Sequence, residues 1–355
     1  MRKLEFDFAA AGVDVLLVQT RPNIRYLTGF TGSNAGCLVT SDGETTLFTD
    51  PRYTTQASQE FAGGDTRIIT KHRMMSLAAV EHLGKRRSVR IGYDPAATTV
   101  AELRRIEAKL PARSSLVEVE GAVEKQRQVK DESELALIRE SVRTNSAAFD
   151  AVVRKIKPGL RESDVAAELE FQQRKKGASG PAFDTIVASG PRTALPHAHP
   201  TEARLDPNIL VLIDMGASRG GYASDMTRML HLGRPSAKVR GWYDAVLEAQ
   251  LAALNSIRAG VTAGSVDRAA REVLKAKGFA ELFTHSTGHG LGLEIHEMPG
   301  IRSKDKTRLR AGMAITVEPG IYIPGEGGIR IEDTVVVTQN GCEILTPTTK
   351  EFVSI

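Results

Sequence analysis

Short apolar runs rich in β-branched residues alternate with helix-spaced apolar stripes through the first third of the chain. The runs over 13–19, 36–40, 45–50, 66–70 and 89–94 are bounded by turn-forming residues and predict strands. Apolar positions recurring at three- and four-residue intervals predict helices over 52–62, 75–85 and 98–110. This alternation points to a small α/β domain. Around 125–134 the sequence becomes highly charged (KQRQVKDESE), which places a linker and the start of a long helix there. Leu135, Ile138, Val142, Ala148, Phe149 and Val152 form the stripe of that helix, and Pro158-Gly159 stops it. A second helix over 162–176 closes at Gly177.

The pattern then changes. Strands over 209–215 and 221–232 flank the turn Ser218-Arg219-Gly220, which reads as a β-hairpin. Helices over 238–258 and 265–277 follow. Two more strands, 313–323 and 329–338, surround the Gly-Pro-rich turn 324–328. Hairpins combined with helix pairs predict an α+β fold with an antiparallel sheet. Two domains are therefore expected, 1–127 and 128–355, in keeping with the usual domain size of roughly 100–200 residues. No internal repeat or low-complexity segment is visible.

Composition narrows the function classes. The 355 residues are 41% hydrophobic and 25% charged, as in ordinary globular proteins. Residues 1–127 hold 18 Lys+Arg against 15 Asp+Glu, and the remainder 29 against 28. Neither part has the one-sided charge of a nucleic-acid binder. The densest basic run, Lys85-Arg86-Arg87-Ser88-Val89-Arg90, is expected to be a solvated link. The two cysteines, Cys37 and Cys342, suggest neither a disulfide framework nor a metal motif. Charges interrupt the first seven residues, and no apolar run approaches the roughly 20 residues that cross a bilayer. A cytoplasmic location without membrane contact is the expectation.

The chemistry lies in acidic residues placed where a sheet core should be apolar. Asp214 ends the run VLIDMG, and Asp225 sits opposite in GYASDMTR. An unpaired buried Asp is expensive, and two facing carboxylates repel unless a positive charge lies between them. On the hairpin alone, turn capping by Asp214 and pairing of Asp225 with Arg228 account for both residues equally well. Glu318 in AITVEPG and Glu332 in GIRIEDTVVVT repeat the anomaly. His289 lies in STGHGLG, whose glycines allow close backbone approach, with His285 and His296 beside it. Four carboxylates balance two divalent cations and are badly unbalanced with none. The oxygen-rich, sulfur-free set suits Mn²⁺, Co²⁺ or Zn²⁺.

As a set, LPHAHP with His197, VLIDMG, YASDMTR, STGHGLGLEIHE, TVEPGIY and GIRIED resemble the pita-bread metallopeptidases of the aminopeptidase P and prolidase branch. The N-terminal part, with YLTGFTGSNAG, resembles the creatinase-type N-terminal domain. The resemblance implies hydrolysis of the Xaa-Pro bond at a peptide N-terminus by a hydroxide bridging two divalent metals, Mn²⁺ being expected. It implies that Asp214 binds one metal and that Asp225 and Glu332 bridge both. His289 and Glu318 match ligands of the other. Glu318 is the implied proton shuttle, and His197 and His296 the contacts to substrate and tetrahedral intermediate. His285 is expected in the pocket wall and Arg330 behind a ligand carboxylate. A homodimer acting on peptides with proline at the second position, and not on nucleic acid, completes the picture.

Rival readings are a methionine aminopeptidase, a metal-free creatinase-like hydrolase and a non-catalytic binding member of the fold. The extra N-terminal domain and LPHAHP disfavour the first, and retention of all five ligands disfavours the others. Prolidase, a strict dipeptidase, is the nearer alternative. It must hold the proline carboxylate with a fixed positive group. The small, neutral stretch TGFTGSNAG, where many dipeptidases carry a charged segment, favours the aminopeptidase; Arg52 or Arg330 could supply a carboxylate contact.

Overall fold

The computed structural model describes residues 2–85 and 88–355. It contains two compact units, Met1–Arg127 and Gln128–Ile355. Arg86 and Arg87 of the basic run lie outside the described residues. Among the described residues no helix is long and apolar enough to cross a membrane.

The first unit is built on a six-stranded mixed sheet. Its central strand, Val15–Val18, pairs antiparallel with Ala35–Thr40 and parallel with Arg90–Tyr93. The central strand is buried along its whole length, which is why its apolar residues run without alternation. Several elements lie outside the sequence expectation, among them the short helices Phe8–Ala11 and Ala122–Arg127. Ser115–Glu118 forms an edge strand beside Arg90–Tyr93, and Arg21–Thr28 forms a helix. The Pro-Asn pair in the first turn of that helix hides it from a propensity reading, although Pro is well tolerated there.

In the second unit, helix Glu132–Val153 begins at a capping box made by Asp131 and Glu134. Together with Glu162–Lys175 it covers one face of the sheet Ile186–Ser189, Leu210–Met215 and Met226–His231: Val187, Val211 and Ile213 pack with Phe149, Val165 and Leu169. The opposite residues, Ala188, Leu210 and Leu212, pack with Val246, Ala249, Val266 and Ala270 of helices Ala237–Ser256 and Ala263–Ala276. An antiparallel five-stranded sheet, Glu297–Ile301, Gly288–Gly290, Ala314–Val317, Asp333–Val337 and Cys342–Ile344, lies between the same helical layers. Both sheets are thus buried on two faces. Helix pair followed by strands occurs twice along this unit, a repetition the residues themselves do not display.

The expected long hairpins are broken ribbons. Leu210–Met215 pairs with Met226–His231, but Ala217–Arg219 and Tyr222–Ala223 belong to another sheet. The turn is Gly220-Gly221, with φ of 56° and 82°. Likewise Ala314–Val317 and Asp333–Val337 form one ladder, while Gly320–Ile323 and Gly327–Arg330 form a separate one. At the first break Gly216 lies against neighbouring backbone, and a Cβ there would meet the Ser224 carbonyl oxygen at 2.2 Å and the Phe183 ring at 2.5 Å. The carbonyls freed at this kink are taken by Asn145, which donates to Met215 O, and Gln173, which donates to Gly216 O. Gly216→Ala should therefore destabilise the protein by about 1–3 kcal/mol through overpacking, read as a lower denaturant midpoint with an unchanged slope.

Candidate metal centre

The breaks in the ribbons are where the acidic residues sit. Asp214 is the penultimate residue of Leu210–Met215 and continues the row of Leu210 and Leu212. Asp225, Glu318 and Glu332 occupy gaps between strands rather than the strand interiors expected of them. A ladder position points its side chain perpendicular to the sheet; leaving the ladder lets side chains from two ribbons turn toward one point. All four line a cavity of about 410 Å³ together with His197, His285, His289, His296 and Arg330, so each of the nine residues singled out in the sequence reaches the same space. The turn 324–328 does not line it.

One donor atom each of Asp225, His289 and Glu332 lies within 4.8 Å of the others. His289 Nε2 is 3.5 Å from Asp225 Oδ2 and 3.4 Å from Glu318 Oε1. Its Nδ1 lies 3.0 Å from the Gly290 carbonyl, so Nδ1 carries the proton and Nε2 offers a lone pair to the acids. Thr316 accepts from the His289 amide and donates to Glu318. The glycines flanking His289 serve strand packing rather than ligand approach: a Cβ at Gly288 or Gly290 would meet the carbonyl oxygen of Thr316 at 2.0 Å or of Met298 at 2.4 Å.

Among the described residues, Arg330 is the only Lys or Arg lining the cavity. It donates to Asp214 Oδ2 at 2.7 Å, to Thr227 Oγ1, to Tyr322 Oη and to the Pro196 carbonyl. Tyr322 in turn meets His285 Nε2 at 2.8 Å, while His285 Nδ1 donates to Ser286 O. His285 is thereby fixed as a neutral ring, and burial lowers its pKa to about 4. Thr227 also donates to Glu332 Oε2 at 2.8 Å. Arg228 turns away from Asp225 and pairs with Asp333 at 2.7 Å, so the alternative pairing considered for Asp225 does not form.

The donors fit a pair of divalent cations. Asp214 Oδ1 and Glu332 Oε1 are buried without a hydrogen-bond partner, a costly state for oxygens that nothing positive approaches. Burial, and then the neighbouring carboxylates Glu332, Asp214 and Glu318, push Asp225 well above the ordinary carboxylate range. Burial, Glu318 and Asp214 do the same to Glu332. Burial raises Glu318 to about 7 against the pull of Arg330.

Residues 136–339 match the profile of metallopeptidase family M24, and residues 1–129 that of the creatinase/prolidase N-terminal domain. The chain belongs to metallopeptidase family M24. It is 36% identical over 347 residues to the Xaa-Pro dipeptidase of Pyrococcus horikoshii, covering 96% of this chain and 95% of the relative. The structure of an Xaa-Pro dipeptidase from Bacillus anthracis superposes with a TM-score of 0.93 at 38% identity, covering 98% and 97% of the two chains. That of an X-Pro aminopeptidase from Thermotoga maritima gives 0.90 at 36% identity, covering 97% and 98%. The two-domain fold is thus the pita-bread architecture preceded by a creatinase-type domain.

Several residues of this M24 site escaped the sequence reading. Thr227 follows Asp225 by two, a spacing that could have marked it. Thr316 precedes Glu318 in the same way. Tyr322 falls within the family stretch TVEPGIY, yet its sequence also fits a strand-end core tyrosine and assigns it no role. Glu162 reads as a helix start, yet its fully buried carboxylate accepts from Ser189, Arg192 and Thr201 and so anchors both ends of the segment carrying His197. No local pattern announces that role.

Because the folded-state pKa values of Asp225, Glu318 and Glu332 are raised, the native state retains protons that the unfolded chain has lost. Stability of chelator-treated protein should then be greatest below the ordinary carboxylate pKa and fall as pH rises toward 7, by about 1.4 kcal/mol per pH unit for each retained proton. Urea unfolding at pH 5 and pH 8 checks this, and added divalent metal should abolish the difference.

Proposed function

We propose that this chain is an Xaa-Pro aminopeptidase whose residues 128–355 form the catalytic domain and residues 1–127 an accessory one. The observation that carries the metallopeptidase chemistry is the convergence of Asp214, Asp225, Glu318, Glu332 and His289 with two orphaned buried oxygens among them. In this reading Asp225 and Glu332 would be shared by the two ions, Asp214 would hold one, and His289 and Glu318 would hold the other. Two divalent cations there, with Arg330 counted, would leave the site one charge positive and would supply a water of lowered pKa and a polarised scissile carbonyl. Glu318 takes and returns the proton. His197 and His296, both on the open side of the cavity, supply the donors for the developing oxyanion. Desolvation and the neighbouring His289 hold His296 below the ordinary imidazole range, so it is chiefly neutral at pH 7. Manganese as the working ion, a cytoplasmic location and a homodimer belong to the same proposal.

Arg330 bears on substrate length. With four N–H donors committed to protein partners, it has little left to clamp a terminal carboxylate. Among the described residues no second Lys or Arg lines the cavity. This favours longer Xaa-Pro peptides over the dipeptides named for the Pyrococcus and Bacillus anthracis relatives. Kinetics on a matched Xaa-Pro dipeptide and Xaa-Pro-Yaa-Zaa tetrapeptide check it: the tetrapeptide should have the higher kcat/KM, and a tenfold preference for the dipeptide would make the chain a prolidase.

The ligand assignment separates two substitutions. Asp225→Ala should abolish turnover and reduce metal content in a protein that remains folded. His197→Ala should keep both metals and lose about 10²-fold or more in kcat. Metal analysis alongside steady-state kinetics distinguishes them, and loss of metal from His197→Ala would require a different ligand set.

A further inference from the structure

Behind the metal centre lies a second buried charge cluster. Where the ribbon breaks at Glu332, the Glu332 peptide leaves the ladder and its polar groups need other partners. Its N–H reaches the Thr227 carbonyl at 3.3 Å. Its carbonyl accepts from Arg228. Arg228 is 3% exposed, and all five of its N–H donors are placed. Nη1 serves Thr227 O and Glu332 O; Nη2 serves Asp333 Oδ1 and Thr348 O; Nε serves Thr349 O. Asp333 is fully buried, and its Oδ2 accepts from Lys350 Nζ at 2.7 Å and Gln250 Nε2 at 2.9 Å. Among the charged side chains of the cluster, Lys350 alone reaches the surface, its side chain being 20% exposed.

We propose that Arg228, held by Asp333 and Lys350, is a positioning residue for the metal site: it clamps the Glu332 backbone against segment 348–350 and so aims the Glu332 carboxylate. The inference rests on the reading of Glu332 as a ligand. The clamp touches no reacting atom. It acts by removing freedom from a peptide whose side chain must face two charges at once, as partners behind a metal ligand commonly do. A lysine at 228 could not reproduce it, because three rotatable donors cannot replace a planar fork that spans five acceptors. A purely structural role would give the same burial, so the measurement must separate fold stability from metal geometry.

The test uses the full chain and Co²⁺ as probe. Arg228→Lys should bind Co²⁺ at least tenfold more weakly by calorimetry, shift the visible Co²⁺ absorption bands and lower kcat more than it raises KM. If it folds and only the melting temperature of the chelated protein falls, with Co²⁺ affinity and spectrum as in the unaltered protein, the clamp is structural and the proposal is overturned. Should Arg228→Lys fail to fold, Lys350→Met decides. It removes a partner of Asp333 from the surface side and should weaken Co²⁺ binding about threefold or more; unchanged binding overturns the proposal. Glu332→Gln is the control on the underlying reading. If that variant binds Co²⁺ normally, Glu332 is no ligand and the site assignment fails. If it loses Co²⁺ while Arg228→Lys does not, the clamp alone fails.

Discussion

Four carboxylates share one cavity of the second unit, and the repulsion among them is the constraint from which the rest of the site follows. Burial deepens it, since Asp225, Glu318 and Glu332 are all driven toward their protonated forms. A sheet built as continuous hairpins would point such residues along its normal, on separate rows. Here the ribbons break beside Asp214, at Asp225, at Glu318 and at Glu332, and the side chains converge. Each break releases backbone groups that must be satisfied away from water. Asn145 and Gln173 do this at the first, Thr334 accepts no such role by its backbone but donates its hydroxyl to Asp225 O at the second, and Arg228 serves the last. The apolar residues that hold the broken sheets, buried on both faces between helix pairs, supply the stability against which this repulsion is set.

The class of fold and the acidic set were legible because both are local. Helix stripes, turn residues and an acid inside an apolar run such as VLIDMG each show within about ten residues. The breaks were not legible. A continuous apolar run has no phase, so AITVEPGIYI and GIRIEDTVVV read as single strands. Their division shows only once the partners are known. Flanking glycines at 288 and 290 gave a correct alert with the wrong reason, since they accommodate neighbouring carbonyls. Long-range polar partners were invisible in principle: Arg228 and Asp333 lie 105 residues apart, and nothing near Arg228 distinguishes Asp333 from Asp225.

The histidines illustrate how partners assign roles that proximity in sequence cannot. His285, His289 and His296 fall within one Gly-rich stretch. His289 is fixed with Nε2 free by the Gly290 carbonyl and faces the acids. His285 spends both nitrogens on Ser286 and Tyr322 and serves as wall. His296 packs edge-on against His289, with ring centroids 4.4 Å apart, and keeps its other side toward the open cavity. One segment thus contributes an inward ligand candidate, a neutral wall and a ring that faces the open cavity, set apart by what each ring meets.

Arg330 joins these parts. Its guanidinium connects the acid on one ribbon, Asp214, with Thr227 beside Glu332, with the Tyr322–His285 pair, and with the carbonyl of Pro196 next to His197. Glu162 fixes the same His197 segment from behind. A displacement of that segment is therefore felt at Asp214 through a planar, rigid fork rather than through solvent. A flexible ammonium would allow the two ends to move independently. The fixed positive charge pairs directly with Asp214 and also pulls against the rise of Asp225, Glu318 and Glu332, so it offsets part of the repulsion among all four acids. The segment of His197 and the carboxylate of Asp214 are in this way tied into one rigid body, which is what a site needs if a bound group is to meet both at once.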